Sequence, residues 1–543
     1  MTTEHPKPPD NEGIPLSMSL LTSLLLSTIR LPRDIHRFAF RQYPDRVALQ
    51  FADRSITYRQ LQERGYRLAQ AWHALGVRPG DAVFSQVGTG GEFFEIRIAA
   101  AETGAVLTGF HSLHAPEFVT AAANAVTPKL MIVDRDFAPG TAEAMRAAHP
   151  GVPVWEVGPD SEFETQLLSH AAVRSTARFS SSAPFTLGFT SGTTGAPKGL
   201  ISSQSAAVTS LKMVIRNFTG KRDRTANNIS LSPIHLVGGG TGLVFPTMIV
   251  GGTLVVLDAY TPESLIATVT RFGVTRLFLT PSHLIDLLDM PAKVDRDLAT
   301  VNHIVYGTAP MPAAKLEEAI NRFGPIFQQG YGQAEVLPPV TLLRPEEHMV
   351  GGELAPRSIL QSCGKVARGV KLRIVGPDGQ ELPAEIPGDI QVKSPTRLQT
   401  YLDRSQNEGV ILADGYFRTG DQGYIDQAGY LHVLDRGADL IRTAGTVIYP
   451  RTVEEEAHDH PAVKECCLVE LGGKPVLVVS RRSQYGGGSD DVVARELKAL
   501  LEGRLGPELL PDEIRIIDAI PRSFLGKVLR REVKARMGND DNA

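Results

Sequence analysis

The chain has 543 residues, 42% of them apolar, and 56 Lys and Arg against 60 Asp and Glu, for a formal net charge of −4. That length supports more than one hydrophobic core, and the faintly acidic balance, with no basic stripe interleaved with aromatics, leaves no electrostatic footprint for nucleic acid. The three cysteines, Cys363 and the adjacent Cys466 and Cys467, make neither a metal spacing nor a disulfide framework, which suits a reducing cytosol and a cytoplasmic protein.

In chain order, residues 1–15 are acidic and proline-rich and read as a disordered tail. Residues 16–29 are rich in leucine and serine but lack a cationic flank and a small-residue cleavage site. At about fourteen residues this stretch is too short to span a bilayer, so it is expected as a helix on the body of the protein. Short apolar runs then alternate with amphipathic stretches: 82–87 before 92–103, 129–133 before 141–148, and 276–279 before 283–288. This is the rhythm of layered β-sheets with helices on their faces. The turn Gly88-Thr89-Gly90-Gly91 lacks the remaining features of a dinucleotide fingerprint and is assigned to a tight turn. Past Val366 hairpins take over, signalled by Gly376-Pro377-Asp378-Gly379 and Asp426-Gln427-Ala428-Gly429. A small α+β unit follows Arg436, with strands at 467–470 and 475–479 and a helix at 492–502. The fold class is therefore α/β: a large N-terminal domain of layered sheets with a β-rich subdomain (16–435) and a small α+β unit (436–543).

The densest chemistry lies at Thr190-Ser191-Gly192-Thr193-Thr194-Gly195-Ala196-Pro197-Lys198-Gly199. Glycines let backbone N–H groups approach anionic oxygens, hydroxyls add donors and Lys198 adds a point charge, as a polyphosphate loop requires. A plain Gly/Ser/Thr surface loop is the competing reading, and Ala196-Pro197-Lys198-Gly199 fails the Walker A pattern. Over its full length the decapeptide resembles the phosphate loop of the adenylate-forming superfamily, which comprises acyl- and aryl-CoA ligases, luciferases and the adenylation domains of peptide synthetases.

Further segments resemble that superfamily's motifs in its order. Ile56-Thr57-Tyr58-Arg59-Gln60-Leu61 is similar to its early Leu-Thr-Tyr-x-x-Leu, Tyr331-Gly332-Gln333-Ala334-Glu335 to its Tyr-Gly-x-Thr-Glu, and residues 415–421 to its Gly-Tyr/Trp-x-x-Thr-Gly-Asp. Pro521-Arg522-Ser523-Phe524-Leu525-Gly526-Lys527 resembles the Pro-x-Thr-x-x-Gly-Lys that carries the family's catalytic lysine.

The resemblance implies a large AMP-binding domain with a mobile C-terminal lid. It implies that ATP and a carboxylic acid form an acyl adenylate and pyrophosphate without a side-chain nucleophile, so that catalysis is orientation and charge neutralisation. It assigns Thr190, Ser191, Gly192, Thr193, Thr194, Gly195 and Lys198 to the β- and γ-phosphates, and Glu335 to Mg²⁺. Tyr331, beside Gly332 and Gln333, stacks on adenine, Gly307-Thr308-Ala309-Pro310 lines the other side, and Asp421 takes the ribose hydroxyls with help from Arg436. Lys527 bridges the carboxylate and the α-phosphate from the lid. His235 matches a histidine at the acyl pocket of many CoA ligases and counts with Lys527 and Glu335 as catalytic. Met213, Leu236, Val237, Gly238, Gly239, Gly330 and Leu337 complete a roomy apolar pocket suited to an aryl or bulky acid. The pairs His111/His114 and His458/His460 lack further ligands and read as loop polarity rather than metal sites. For Lys527 the competing reading is a solvated basic face, and for Asp421 a turn-former.

The pattern breaks at Ala334, where the family has threonine, at the hinge position Ala438, and at Ala444-Gly445-Thr446-Val447, which replaces Gly-Gly-Glu-Asn. The acceptor is thereby left open among CoA, which most such ligases use, an amine, and a carrier-protein pantetheine. A non-catalytic nucleotide binder is disfavoured by the retention of Lys527, Glu335 and Asp421.

Overall fold

A computed structural model describes residues 26–191, 197–218, 228–233, 241–443, 446–486, 488–523 and 526–540. Residues 1–25 lie outside these. The described end of the leucine-rich stretch places Leu26 and Ile29 in a buried cluster with Val208, Leu211 and Ile215.

Two large sheets carry the body. The first has nine strands, in the order Lys365–Val366, Val336–Leu343, Phe327–Gln333, His303–Gly307, Arg276–Leu279, Ile229–Leu231, Thr253–Val255, Val47–Gln50, Ser55–Thr57. From Phe327–Gln333 to Val47–Gln50 its strands pair in parallel, which accounts for their near-continuous apolar runs: both faces are covered by helices. The second has seven, running Thr400–Tyr401, Pro197–Ser203, Pro184–Ser191, Val106–Gly109, Ala82–Gln86, Leu130–Val133, Val154–Glu156. The Gly91–Thr103 helix between the sheets is buried along nearly its whole length, which is why its apolar residues show no stripe. A four-stranded antiparallel sheet follows, Lys371–Val375, Gly388–Lys393, Phe417–Ile425 and Leu431–Arg436. The two turn signals read from the sequence fall at its bends, with Gly379 and Gly429 at positive φ.

Past Arg436 the chain builds a three-stranded sheet, Val463–Leu471, Lys474–Arg481 and Glu513–Ile517, with helices Pro450–Ala457, Asp490–Glu502 and Arg530–Asp540. Its core, around Ile441, Val453, Leu468, Leu477 and Leu497, forms a cluster distinct from those of the body. Cys466 and Cys467 are buried strand residues with free thiols, and Cys363, in a loop of the body, is likewise buried and free. Among the described residues no helix is long and apolar enough to cross a membrane, and no group of three or more His, Cys, Asp or Glu could hold a metal ion.

Candidate active site

In a parallel sheet flanked by helices, the carboxyl ends of the strands open into a crevice where backbone and side chains can reach a ligand. Two such ends lie side by side here: His303–Gly307 pairs with Phe327–Gln333 so that Gly307 faces Gly330. No side chain fits between them, since a Cβ on Gly307 would lie 2.5 Å from the Gly330 carbonyl oxygen, and one on Gly332 would meet Pro338 at 2.9 Å. Gly307 leads to Thr308, held at φ 73° with a buried Oγ1 that has no hydrogen-bond partner. Gly330 leads to Tyr331, and the strand ends at Gln333, whose amide donates to the Thr419 carbonyl at 3.4 Å.

Tyr331 crosses to the four-stranded sheet, where its hydroxyl donates to Asp421 Oδ2 at 2.6 Å. Asp421 is itself fixed by its neighbours. Its N–H donates to Thr419 Oγ1 at 3.1 Å, and it sits opposite Arg436, with Arg436 Nε 3.5 Å from its Oδ1. Burial raises the Asp421 pKa, while Tyr331, Arg436 and Lys527 act to lower it. Asp421 is thus a buried carboxyl held in the crevice by the Arg436 guanidinium and the Tyr331 hydroxyl, rather than a turn residue facing solvent.

Lys527 arrives from the C-terminal unit. It is half-buried, its pKa is lowered by desolvation and by Arg436, and Asp421 and Glu335 hold it up. The four groups expected to act together therefore share one electrostatic neighbourhood: Lys527, Asp421, Glu335 and Arg436. A basic C-terminal run on a solvated face does not account for that burial. Glu335 begins the turn into Val336–Leu343, its carbonyl accepting from the Leu398 N–H at 2.6 Å. Its charge is felt by Tyr401, a buried ring over which Lys198 Nζ lies 3.8 Å from the centroid. Tyr401 was not singled out from the sequence, because it belongs to no motif. Only the pairing of Thr400–Tyr401 with Pro197–Ser203 brings it to Lys198.

Lys198 stands on a hairpin arm, opposite Thr190 in the antiparallel register. The side chains of Thr190 and Ser191 and all of Gly192, Thr193, Thr194 and Gly195 lie outside the described residues, as do His235, Leu236, Val237, Gly238 and Gly239. Of the expected acyl pocket, Met213 is buried in one cluster with Val336, Val340 and Tyr331. Its helix is tied to the strand beyond Leu337 by the Ser210 hydroxyl, which donates to the Pro338 carbonyl at 2.9 Å. Gly330 and Leu337 are half-buried, while Ala309 and Pro310 follow Thr308 toward solvent.

What carries Lys527 into place is a polar latch. Ser282 Oγ, on the Pro281–Leu288 helix, lies 2.7 Å from the carbonyl of Gly526 and 2.9 Å from Glu465. Arg522 pairs with Asp286 at 3.0 Å and with Glu465, and Lys464 reaches Asp286 at 3.0 Å. Lys315 donates to the Val463 carbonyl at 2.7 Å, the Ala313 N–H donates to Glu455 at 2.7 Å, and Arg357 pairs with Asp459 at 2.8 Å. Sequence reading counted Arg522 only as part of the frame around Lys527; its partners come from 236 and 57 residues away along the chain.

Ala438 sits in the turn after the last strand of the four-stranded sheet, between Gly437, whose N–H donates to the Gly420 carbonyl at 3.1 Å, and Asp439, whose N–H donates to the Arg436 carbonyl at 2.9 Å. A cation would find an oxygen ligand of the right hardness in Glu335, which makes no ion pair among the described residues.

Comparison with known proteins gives this geometry its context. The AMP-binding enzyme family matches residues 36–402, and the AMP-binding enzyme C-terminal domain matches residues 452–527. A fatty acid–[acyl-carrier-protein] ligase, ScoC of Streptomyces coeruleorubidus, is 29% identical, with 93% of this chain and 96% of that one aligned. A feruloyl-CoA synthase from an Amycolatopsis species is 28% identical, with 92% and 97% aligned. Among solved structures, the amide bond synthetase McbA from Marinactinospora thermotolerans superposes with a TM-score of 0.79 at 25% identity, covering 93% of this chain and 99% of that one. Body and lid each match in order, and the chain belongs to the AMP-binding enzyme family.

Proposed function

We propose that this protein is an ATP-dependent carboxylic acid ligase. The acid's carboxylate oxygen attacks the α-phosphorus of ATP, pyrophosphate leaves, and an acceptor then attacks the acyl carbonyl and releases AMP. The observation that carries this reading is the placement of the half-buried Lys527 within the electrostatic reach of Asp421 and Glu335, next to a latch one residue away at Gly526.

In this reading residues 16–435 form the adenylation body and residues 436–543 the lid. Asp421 holds the ribose hydroxyls, with Tyr331 and the Gly307–Pro310 segment around the base. Lys198 and the segment 190–195 hold the outer phosphates, Glu335 takes Mg²⁺, and Lys527 neutralises the carboxylate and α-phosphate as they meet. Tyr401 positions Lys198 by offering its ring to the ammonium until polyphosphate draws it away. His235 and the Met213 wall receive the acid.

Coenzyme A is the leading acceptor, in keeping with the feruloyl-CoA synthase among the relatives. An amine is the second, favoured by the lid segment Ala444-Gly445-Thr446-Val447 and by the likeness to an amide bond synthetase. A carrier-protein pantetheine, as used by the ScoC relative, is the third. The test is acid-dependent exchange of labelled pyrophosphate into ATP across aryl, alkyl and branched acids, followed by mass spectrometry of products formed with CoA or amines. Exchange with no acid of the panel would exclude the proposal. A thioester or an amide product decides the acceptor.

A further inference from the structure

Away from the nucleotide crevice, the buried Gly91–Thr103 helix carries one cation without a counter-charge. The carboxylates of this helix that point inward are already taken: Glu95 pairs with Arg64 at 2.6 Å and Glu102 with Arg37. Arg97, between them in sequence, has no carboxylate and no hydrogen-bond acceptor among the described residues, and its Nε is buried without a partner. Its guanidinium lies 4.3 Å from the centroid of Phe93, and burial alone lowers its pKa to about 10, so it stays charged at neutral pH. A cation taken out of water costs several kcal/mol unless something offsets it, and one aromatic ring supplies only part of that.

The guanidinium lines a small recess walled by His36, Phe93, Phe185, Phe245 and Met248, from helices Pro32–Gln42 and Thr241–Ile249 and strand Pro184–Ser191 as well as its own helix. His36 brings a second unpaired group. Its Nδ1 is buried without a partner, its ring stacks on Phe245 at 5.7 Å, and burial together with Arg97 and Arg37 lowers its pKa to about 4, leaving it neutral. A neutral imidazole offers one N–H. The recess measures about 30 Å³. That is room for a water or two or a single small ion, and too little for an aryl or alkyl acid.

We propose that this recess is a binding site for a small monovalent anion, a halide or a formate-sized carboxylate, held by the Arg97 guanidinium and the His36 N–H. One negative charge neutralises the site. The anion would pin the helix carrying Arg97 to the helix carrying His36 and to Thr241–Ile249, without entering the adenylation chemistry. The proposal is independent of the reading of the active site.

The experiment is thermal unfolding of the full chain without nucleotide, at fixed ionic strength, with sodium gluconate replaced stepwise by chloride, bromide, formate, acetate or benzoate. Linkage predicts a saturable rise of the midpoint, about 1–3 °C, with chloride, bromide or formate and none with benzoate, and its loss in Arg97→Met. The halide and formate arms separate the two sources of the charge. Arg97→Met removes a buried charge and keeps an apolar side chain, so it is expected to fold. Should it not fold, a bromide anomalous peak within hydrogen-bond distance of Arg97 in wild-type crystals sustains the proposal, and its absence overturns it. No ion-specific shift, the same shift in Arg97→Met, or a shift with benzoate alone also overturns it.

Discussion

Thr308 occupies the place where the family's Gly-Gly-Ala-Pro loop has its second glycine, and it does so at φ 73°. A β-branched residue in that region is strained by roughly 1–2 kcal/mol. Glycine relieves the strain but returns part of the gain as unfolded-state entropy. Thr308→Gly is therefore expected to raise the unfolding midpoint slightly while raising the KM for ATP, because the unpaired Oγ1 is then no longer there to meet the nucleotide. Thermal unfolding and exchange kinetics measure the two effects separately, and a drop in midpoint would refute the strain argument. Lys527→Ala is expected to lose about 2–4 kcal/mol of adenylation transition-state stabilisation with ATP binding intact. The lysine's pKa is depressed, so its cation is lost at a lower pH than that of a free lysine, and the adenylation rate falls as pH rises through that value. Arg436 is one cause of the depression. The alkaline limb of the pH–rate profile should accordingly move upward in Arg436→Gln, and an unmoved limb would show that the limb belongs to another group.

The Pro281–Leu288 helix shows how one element serves both stability and catalysis. Thr280 caps it by accepting from the His283 N–H, and the same hydroxyl leaves no room for a side chain on Gly526, where a Cβ would lie 2.8 Å away. Ser282 and Asp286, on the same short helix, hold the loop that ends in Lys527. Asp286→Asn is expected to slow pyrophosphate exchange about 5–10-fold, by weakening lid closure by roughly 1 kcal/mol, with the unfolding midpoint of the body nearly unchanged. A large loss of stability with a normal rate would contradict this.

This helix also marks how far the chain could be read in advance. Its existence was legible from an apolar run behind a turn, as were the neighbouring strand Arg276–Leu279 and the α/β order of the body, because local periodicity records which face is buried. The motif residues were legible because phosphate and ribose chemistry constrains residue type over short spans. The latch was not. Asp286, Arg522, Glu465 and Lys464 are ordinary charged residues whose only distinction is a meeting of partners between 57 and 236 positions apart. Tyr401 and Arg97 escaped for the same reason: one gains its role from a strand pairing, the other from what fails to face it.

For the whole molecule, the distribution of charge decides how firmly the C-terminal unit is held against the body. Contacts between lid and body are ion pairs and hydrogen bonds, which salt screens, whereas the apolar clusters on each side are complete without the other. The adenylation rate is expected to fall with rising ionic strength more steeply in the wild type than in Asp286→Asn, and equal slopes would argue against the latch. Ala438→Pro is expected to keep exchange while losing acyl transfer, with acyl adenylate accumulating, because a proline in the turn between Arg436 and the lid restricts rotation of the backbone there. If both half-reactions survive, the acceptor reaches the adenylate without rotation of the lid, and direct amide formation is favoured.

The separate core around Ile441, Val453 and Leu468 has a further consequence, for synthesis. This unit leaves the ribosome after the body, and it brings its own apolar interior rather than completing one begun hundreds of residues earlier. The body need not wait for it with greasy surface uncovered. A nascent chain halted near residue 440 would be a folded nucleotide binder lacking its lysine, and late truncation would cost the enzyme its chemistry while sparing its solubility.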